Sequence, residues 1–247
     1  MSSPKLFAVI AGVGEGTGAA LARRFAKAYP VVLLARKESS FKSLVDEIQA
    51  SGQTALGIST DVSQGDSVKS AFEQVKKTFG SDVSCAAAVF NASGAFSRKP
   101  FLELTEDDFT RPYSVSGIGA FHFSQAVLPL LLKHADPTHL PPTLIFTGAT
   151  ASLKASVGFS GFAAAKFSQR ALAQALAREF GPQGVHVSHV VIDGLIDTPG
   201  TAGWMQDAGP NGKLQPPAIA EFYWGLHAQP LSTFTFETEI RPFKEKW

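Results

Sequence analysis

Phe162 and Lys166 are the most informative pair of residues in this chain for chemistry. They lie four residues apart in the segment Phe-Ala-Ala-Ala-Lys, a spacing that puts both side chains on one face of a helix. A lysine ammonium donates hydrogen bonds and can lower the pKa of a neighbouring acid, whereas a phenyl ring has no proton to give. The pair therefore predicts a site that holds a cation but has no proton donor beside it.

A glycine-rich segment, Gly12-Val-Gly14-Glu-Gly16-Thr-Gly18, follows the first apolar run and precedes the first helical pattern. Glycine permits a tight turn and a close approach of the backbone, and the N–H groups at a helix amino terminus favour phosphate. Between a strand and a helix, such a motif is typical of dinucleotide binding. We predict that these four glycines hold a pyrophosphate; a purely structural turn is the alternative.

The end of the second predicted strand indicates which dinucleotide is bound. NAD-binding proteins usually place an acid there against the ribose 2′-hydroxyl, but this chain has Ala35 followed by Arg36 and Lys37. A guanidinium can bind a 2′-phosphate in a forked geometry, and an acid would repel it. The sequence therefore favours NADP(H) over NAD(H), unless Arg36 and Lys37 are only a solvated pair in a loop.

Hydrophobic patterning predicts how these residues are positioned. Short apolar runs typical of buried parallel strands alternate with helical patterns, and a shorter helix and strand end the chain. The predicted strands are 6–11, 31–35, 54–59, 84–90, 143–147, 185–192 and 233–240, and the helices are 19–28, 41–50, 67–79, 105–132, 159–180 and 218–228. This alternation indicates one doubly wound α/β domain over 1–247, with a substrate lid at 198–217.

The amino-acid composition limits the classes of partner that the chain is expected to bind. The chain has 22 Lys+Arg against 21 Asp+Glu, so no broad field recruits nucleic acid or an anionic membrane. The single cysteine, Cys85, lies in an apolar run and is expected to be buried. The six histidines show no metal-ligand pattern, and no metal is predicted. No signal peptide or apolar stretch of spanning length is recognised, so a cytoplasmic protein is the expectation.

Together these motifs resemble the short-chain dehydrogenase/reductase family over nearly the whole chain, which implies a Rossmann-type fold. The resemblance rests on the three-glycine pattern with Lys166, and on three further elements: Asp61-Val62, Asn91-Ala92-Ser93-Gly94 and Asp193-Gly194-Leu195-Ile196-Asp197-Thr198. It implies that Asp61 and Val62 contact adenine, that Asn91 and Ala92 stabilise the strand end near the cofactor, and that Ile196 and Thr198 lie at the nicotinamide. It also implies that Lys166 holds the ribose and that the chain forms a homodimer or homotetramer.

The same resemblance shows where this chain departs from the family's catalytic residues. Phe162 stands where the family has its proton-donating tyrosine, and Ser116 stands where it has an asparagine. Thr150 best matches the serine that positions a carbonyl, with Ser152 as a competitor. Asp193 replaces a proline beside the cofactor, and it is either a substitute acid with a raised pKa or a strand-end acid held by the backbone.

These departures lead to one preferred function and two alternatives. General acid catalysis commonly contributes two to four powers of ten, so loss of the donor disfavours simple ketones. We therefore expect an NADP(H)-dependent oxidoreductase acting on an activated small-molecule substrate, such as an iminium, an enone or an activated carbonyl. A non-redox cyclase, isomerase or dehydratase, and a catalytically silent NADP(H)-binding protein, are the alternatives.

Overall fold

A single sheet of seven parallel strands organises the protein in the computed structural model, which describes residues 6–94, 96–135, 140–205 and 209–245. The strand order is β3-β2-β1-β4-β5-β6-β7. The strands are β1 (Leu6–Ala11), β2 (Val31–Ala35), β3 (Ala55–Ser59), β4 (Ser84–Phe90), β5 (Thr143–Thr147), β6 (His186–Ile192) and β7 (Glu237–Ile240). The helices are α1 (Thr17–Ala26), α2 (Lys42–Ala50), α3 (Gly65–Phe79), α4 (Glu106–Tyr113), α5 (Ala120–Leu132), α6 (Ser160–Phe180) and α7 (Pro216–His227). The predicted doubly wound fold is confirmed.

Burial on both faces explains why the central strands are continuous apolar runs. All seven residues of β4 are buried, as are all seven of β6 and all five of β5. Cys85 is buried within β4, as expected. Helices cover both faces, since each parallel connection must cross over the sheet.

The strand register brings the predicted site together at one edge. Ala11 at the end of β1 pairs with Leu34 of β2 and with Phe90 of β4. The residues that follow these strands, Gly12 and Asn91 among them, therefore lie side by side at the carboxyl edge, where open α/β sheets bind ligands.

The stretch predicted as one helix over 105–132 consists of α4, a π-helical segment and α5. The π segment, Ser114–Gly119, begins two residues after Pro112, which cannot donate a backbone hydrogen bond. By length and composition, Glu106–Leu132 could cross a membrane, so the expectation that no stretch reaches spanning length was wrong. Half of its most apolar window is buried, and Phe123, Val127 and Leu131 are fully buried, as in a core helix.

The last strand is shorter than predicted. The sequence alternates over 233–240, but β7 begins only at Glu237. The Gln229 side chain accepts from the Thr235 backbone N–H at 2.8 Å and donates to the Thr235 hydroxyl at 2.8 Å. These bonds occupy the backbone N–H of Thr235 with a local side chain.

Candidate active site

A chain of side-chain hydrogen bonds braces the carboxyl edge of the sheet. The Asn91 amide donates to the Gly12 carbonyl at 2.9 Å, and the Thr147 hydroxyl donates to the Asn91 side-chain oxygen at 3.1 Å. Buried Tyr223 of α7 donates in turn to the Thr147 hydroxyl at 3.0 Å. Asn91 thus joins the ends of three neighbouring strands, and its role is bracing the edge.

At three glycines of the loop, neighbouring atoms lie too close for a side chain to fit without a shift. Gly12 has φ +92°, and a Cβ there would lie 2.4 Å from the Ala92 backbone nitrogen. A Cβ at Gly18 would lie 2.5 Å from the Gly12 carbonyl oxygen, and one at Gly16 would lie 2.6 Å from the Thr198 methyl group. Gly14 differs, because a Cβ there would meet no atom within 4 Å. Gly14 therefore has open space above it, where the cavity lies.

Two cavities meet at this loop. The first, about 570 Å³, is lined by the glycine loop, Phe162, Lys166, Ile196 and Thr198. The second, about 620 Å³, lies over the end of β2 and is lined by Arg36, Lys37, Asp61, Val62 and Ala92. Gly12, Gly14, Asn91 and Ser93 line both. The two cavities form an elongated site with the glycine loop at its centre.

This site fits a dinucleotide. Gly16, which precedes α1, has no side chain to cap the helix, so the first-turn N–H groups have no side-chain acceptor. Such groups, next to the open space at Gly14, suit a pyrophosphate. The cavities on either side are large enough for the two halves of the molecule.

Lys166 is a buried cation that pairs with no carboxylate among the described residues. Its side chain is 3% exposed, and its ammonium donates to the Thr147 carbonyl at 2.9 Å and to the Gln169 side-chain oxygen at 3.3 Å. Burial lowers the pKa of Lys166 from 10.5 to about 8. An ammonium has three N–H donors, so one remains for a ligand in the cavity.

Phe162 lies one helical turn before Lys166 and lines the same cavity. The Lys166 Nζ lies 5.9 Å from the centre of the Phe162 ring. The ring presents an apolar face beside the ammonium where a hydroxyl would donate a proton. Phe162 and Lys166 thus line the same cavity, as their spacing on one helix face requires.

Thr150 and Asp193 form a pair with each other. The Thr150 hydroxyl donates to the Asp193 carboxylate, which also forms an ion pair with Arg241 at 2.9 Å. Neither Thr150 nor Asp193 lines the first cavity. Asp193 thus has the side-chain partners Thr150 and Arg241, whereas one interpretation of the sequence expected a strand-end acid held by backbone N–H groups.

The other predicted hydroxyl groups are also occupied or buried. The Ser152 hydroxyl oxygen accepts from the Ala149 backbone N–H at 3.1 Å, so it caps a turn. Ser116 is fully buried in the π segment, and its hydroxyl oxygen lies 3.5 Å from the Gly94 backbone nitrogen. None of the three hydroxyl-bearing residues predicted for catalysis, Ser116, Thr150 and Ser152, lines the first cavity.

The second cavity has three basic side chains in its lining. Arg36 and Lys37 follow β2, and Arg111 of α4 lines the same cavity. Asp61 accepts through one oxygen from the Ser63 N–H at 3.0 Å and from the Ser63 hydroxyl at 2.7 Å. The sequence-based reasoning did not single out Arg111, because its place in the cavity lining depends on tertiary packing.

Gln169 and His189 were also missed and lie behind Lys166. Both side chains are fully buried, and the Gln169 Nε2 and His189 Nε2 atoms have no hydrogen-bond partner among the described residues. The His189 Nδ1 atom bonds to Glu237 at 3.0 Å, and burial lowers the pKa of His189 to about 4. A Cβ on Gly148, which lines the cavity, would lie 2.4 Å from His189 Nε2. The histidine ring thus packs directly beneath the cavity floor.

A comparison with known protein families shows the family to which this chain belongs. The family model described as short chain dehydrogenase matches residues 6–209, most of the chain. The chain belongs to the short-chain dehydrogenase family. The resemblance on which the sequence analysis relied is therefore confirmed.

Individual relatives agree with this assignment. A short-chain dehydrogenase/reductase from Armillaria gallica is 33% identical over 200 residues, covering 78% of this chain and 71% of the relative. A short-chain dehydrogenase structure from Rhodopseudomonas palustris is 32% identical, with a TM-score of 0.80, and the match covers 98% of this chain and 100% of that one. An alcohol dehydrogenase structure from Thermococcus sibiricus, complexed with 5-hydroxy-NADP, is 25% identical, with a TM-score of 0.83 and 98% coverage of both chains. The sequence matches and the fold thus both place the chain in a family of oxidoreductases.

Proposed function

We propose that this chain is an NADP(H)-dependent oxidoreductase that reduces an activated organic substrate, such as an iminium, an enone or an activated carbonyl. One observation carries the proposal: the glycine loop and buried Lys166 line one cavity in which Phe162 takes the place of a proton donor. The structure of the Thermococcus sibiricus relative in complex with an NADP derivative supports the choice of cofactor.

Different residues of the chain bind different parts of the dinucleotide. The first-turn N–H groups of α1 bind the pyrophosphate, and Arg36 and Lys37 bind the 2′-phosphate. Lys166 donates its remaining N–H to a ribose hydroxyl, while Thr147 and Gln169 hold the ammonium in place. A bound NADPH supplies a hydride at the first cavity.

The substrate class follows from the missing acid. An unactivated ketone needs a proton as its oxygen gains charge, and Phe162 has none to donate. An iminium becomes neutral on accepting hydride, and an enone forms a stabilised anion that water can protonate. Single-turnover mixing of NADPH-bound protein with ketone, enone and iminium panels tests this, and rapid reduction of simple ketones contradicts it.

Arg36→Ala is expected to weaken NADPH binding about tenfold to a hundredfold and to leave NADH binding nearly unchanged, because only NADPH has the phosphate that Arg36 binds. Calorimetry with both dinucleotides measures this. Lys42→Ala is the control, since Lys42 is exposed, pairs with Glu38 at 3.8 Å and does not line the second cavity. Equal affinities of the wild type for NADPH and NADH contradict the cofactor assignment.

Lys166→Met is expected to weaken NADPH binding at least tenfold while raising the thermal midpoint at neutral pH. The pKa of Lys166 is lowered from 10.5 to about 8, so below pH 8 the fold bears the cost of a buried charge, about 3 kcal/mol. Methionine removes that cost but loses two hydrogen bonds, which leaves a smaller net gain.

The pH dependence provides the check on that prediction. Between pH 8 and 10.5 the unfolded chain binds the lysine proton and the folded chain does not, so wild-type stability should rise relative to Lys166→Met. Thermal melts at several pH values measure the difference between the two proteins. A constant difference contradicts a buried ammonium, and unchanged NADPH affinity contradicts the binding role of Lys166.

The two alternative functions predict different experimental results. A silent binding protein binds NADPH but transfers no hydride to any acceptor, and a non-redox enzyme turns over substrate without oxidising NADPH. The family match favours neither. Assembly as a homodimer or homotetramer and the role of 198–217 as a lid stay predictions, and residues 206–208 of that segment lie outside the described residues.

A further inference from the structure

Three phenylalanine rings form a continuous surface that starts in the first cavity. Phe162 lines the cavity, and the Phe96 ring meets it edge to face, with centres 5.5 Å apart and planes at 84°. The centre of the Phe159 ring lies 4.9 Å from that of Phe96. Phe96 is 44% exposed, so the surface reaches solvent. We call Phe96, Phe159 and Phe162 the aromatic wall.

The aromatic wall is held by contacts between two loops. The Lys99 backbone N–H donates to the Gly158 carbonyl at 3.3 Å, which joins the loop after β4 to the loop before α6. The Arg98 guanidinium lies 5.8 Å from the centre of the Phe159 ring. The two loops therefore already hold the three rings together beside the first cavity, whose lining includes Phe162, and a flat ligand that reaches them needs no rearrangement of the loops.

The charge at the cavity argues against a cationic ligand. Among the described residues that line it, Glu15 and Lys166 are the only ionisable ones, and Glu15 is exposed. Lys166 lies 5.9 Å from the Phe162 ring. The nearby Asp193 carboxylate is paired with Arg241. A cationic ligand on the aromatic wall would face both Lys166 and Arg98, and no buried carboxylate stands among the described lining residues to offset its charge.

We propose that the substrate is a neutral, flat, conjugated carbonyl compound that carries an aryl ring, and that this ring packs on the aromatic wall. This proposal rests on the proposed function and narrows its substrate class by excluding iminium ions. Stacking or edge-to-face packing on phenylalanine selects aryl over alkyl groups, and Lys166 favours a substrate that gains negative charge during reduction.

The reaction balances as a conjugate reduction. The substrate accepts a hydride, with its two electrons, at the β-carbon from the reduced dinucleotide, and the carbon–carbon π bond is lost. The resulting enolate takes a proton from water at the α-carbon and becomes a saturated ketone. The dinucleotide is oxidised by two electrons, so no further oxidant or reductant is required.

A binding measurement tests the aromatic wall without turnover. N,N-dimethylaniline is a flat, neutral aryl probe that accepts no hydride, and its affinity for the NADPH-bound protein can be measured by calorimetry. Phe96→Leu and Phe159→Leu should each weaken it about three- to tenfold, while NADPH affinity stays unchanged. Phe101→Leu is the control, because Phe101 is 70% exposed in the same loop and is not part of the wall. Equal affinity in all four proteins overturns the proposal.

A matched cation tests the charge argument. Phenyltrimethylammonium has the same ring with a permanent positive charge, and it should bind the NADPH-bound protein about tenfold more weakly than N,N-dimethylaniline. Equal or tighter binding of the cation overturns the exclusion of iminium ions. With substrates, benzylideneacetone should be reduced with a higher kcat/KM than a straight-chain enone of equal carbon number, and the reverse order counts against the aryl ring.

The two proposals fail in different ways. If dimethylaniline binds as expected but no acceptor oxidises NADPH, the aromatic wall stands as a binding site and the oxidoreductase proposal fails. If NADPH reduces enones but the Phe96 and Phe159 variants change neither affinity nor kcat/KM, the oxidoreductase stands and the aryl substrate is refuted. Circular dichroism melts of the variants confirm that both comparisons use folded protein.

Discussion

Phe162→Tyr should raise the kcat/KM for a simple saturated ketone by about one to two powers of ten. The new hydroxyl would stand one helical turn before Lys166, whose ammonium lies 5.9 Å from the present ring centre. A nearby cation favours the phenolate and so makes the hydroxyl a better proton donor. A well-placed general acid contributes two to four powers of ten.

The expected gain is smaller than that range because the surrounding groups are not arranged for ketones. The Thr150 hydroxyl donates to Asp193, and Ser116 is buried against Gly94. A misplaced catalytic group loses much of its effect. Steady-state kinetics with a ketone measures the gain, and Phe162→Leu separates the effect of the hydroxyl from that of ring size. A wild type that already reduces ketones rapidly, with no change in Phe162→Tyr, would show that another donor operates.

Gly12→Ala should abolish NADPH binding and destabilise the fold by about 3 kcal/mol or more. The φ of +92° is unfavourable for alanine, and its Cβ would lie 2.4 Å from the Ala92 backbone nitrogen. Backbone cannot move aside as a flexible side chain can, so the strand ends must separate. That movement also disturbs the Asn91 bond to the Gly12 carbonyl.

Gly14→Ala is the matched control in the same loop. A Cβ there meets no atom within 4 Å, so the thermal midpoint should change little, while NADPH binding weakens because the methyl group projects into open space needed by the ligand. Urea unfolding and calorimetry measure the two effects. Equal destabilisation by both substitutions would mean that the close contact of Gly12 with Ala92 has no special energetic role.

The sequence predicted the frame of the site well because that frame depends on local patterns. The strands 31–35, 84–90 and 143–147 have the predicted bounds, since buried parallel strands are continuous apolar runs. The loop from Gly12 to Gly18 follows β1 as its glycine spacing indicated. Phe162 and Lys166 line one cavity because their helical spacing requires a common face.

Contacts between distant segments were beyond sequence reasoning. The ion pair of Arg241 with Asp193 and the bond of Tyr223 to Thr147 join residues far apart in the chain. No local pattern indicates such pairs. The π segment was missed as well, because its residues continue the apolar pattern of the flanking helices. His189 lies within an apolar strand, and the sequence pattern around it indicates only a buried strand, not a position beside the cavity.

The packing of His189 against Gly148 restricts the order in which substitutions at these two positions can be accepted. Any side chain at 148 would overlap the imidazole ring, so a larger residue is tolerated there only after 189 has become smaller. A smaller residue at 189 alone would leave a void and remove the hydrogen bond to half-buried Glu237. The two positions are therefore epistatic, and an evolutionary or engineered path that enlarges the cavity floor must pass through a less stable intermediate.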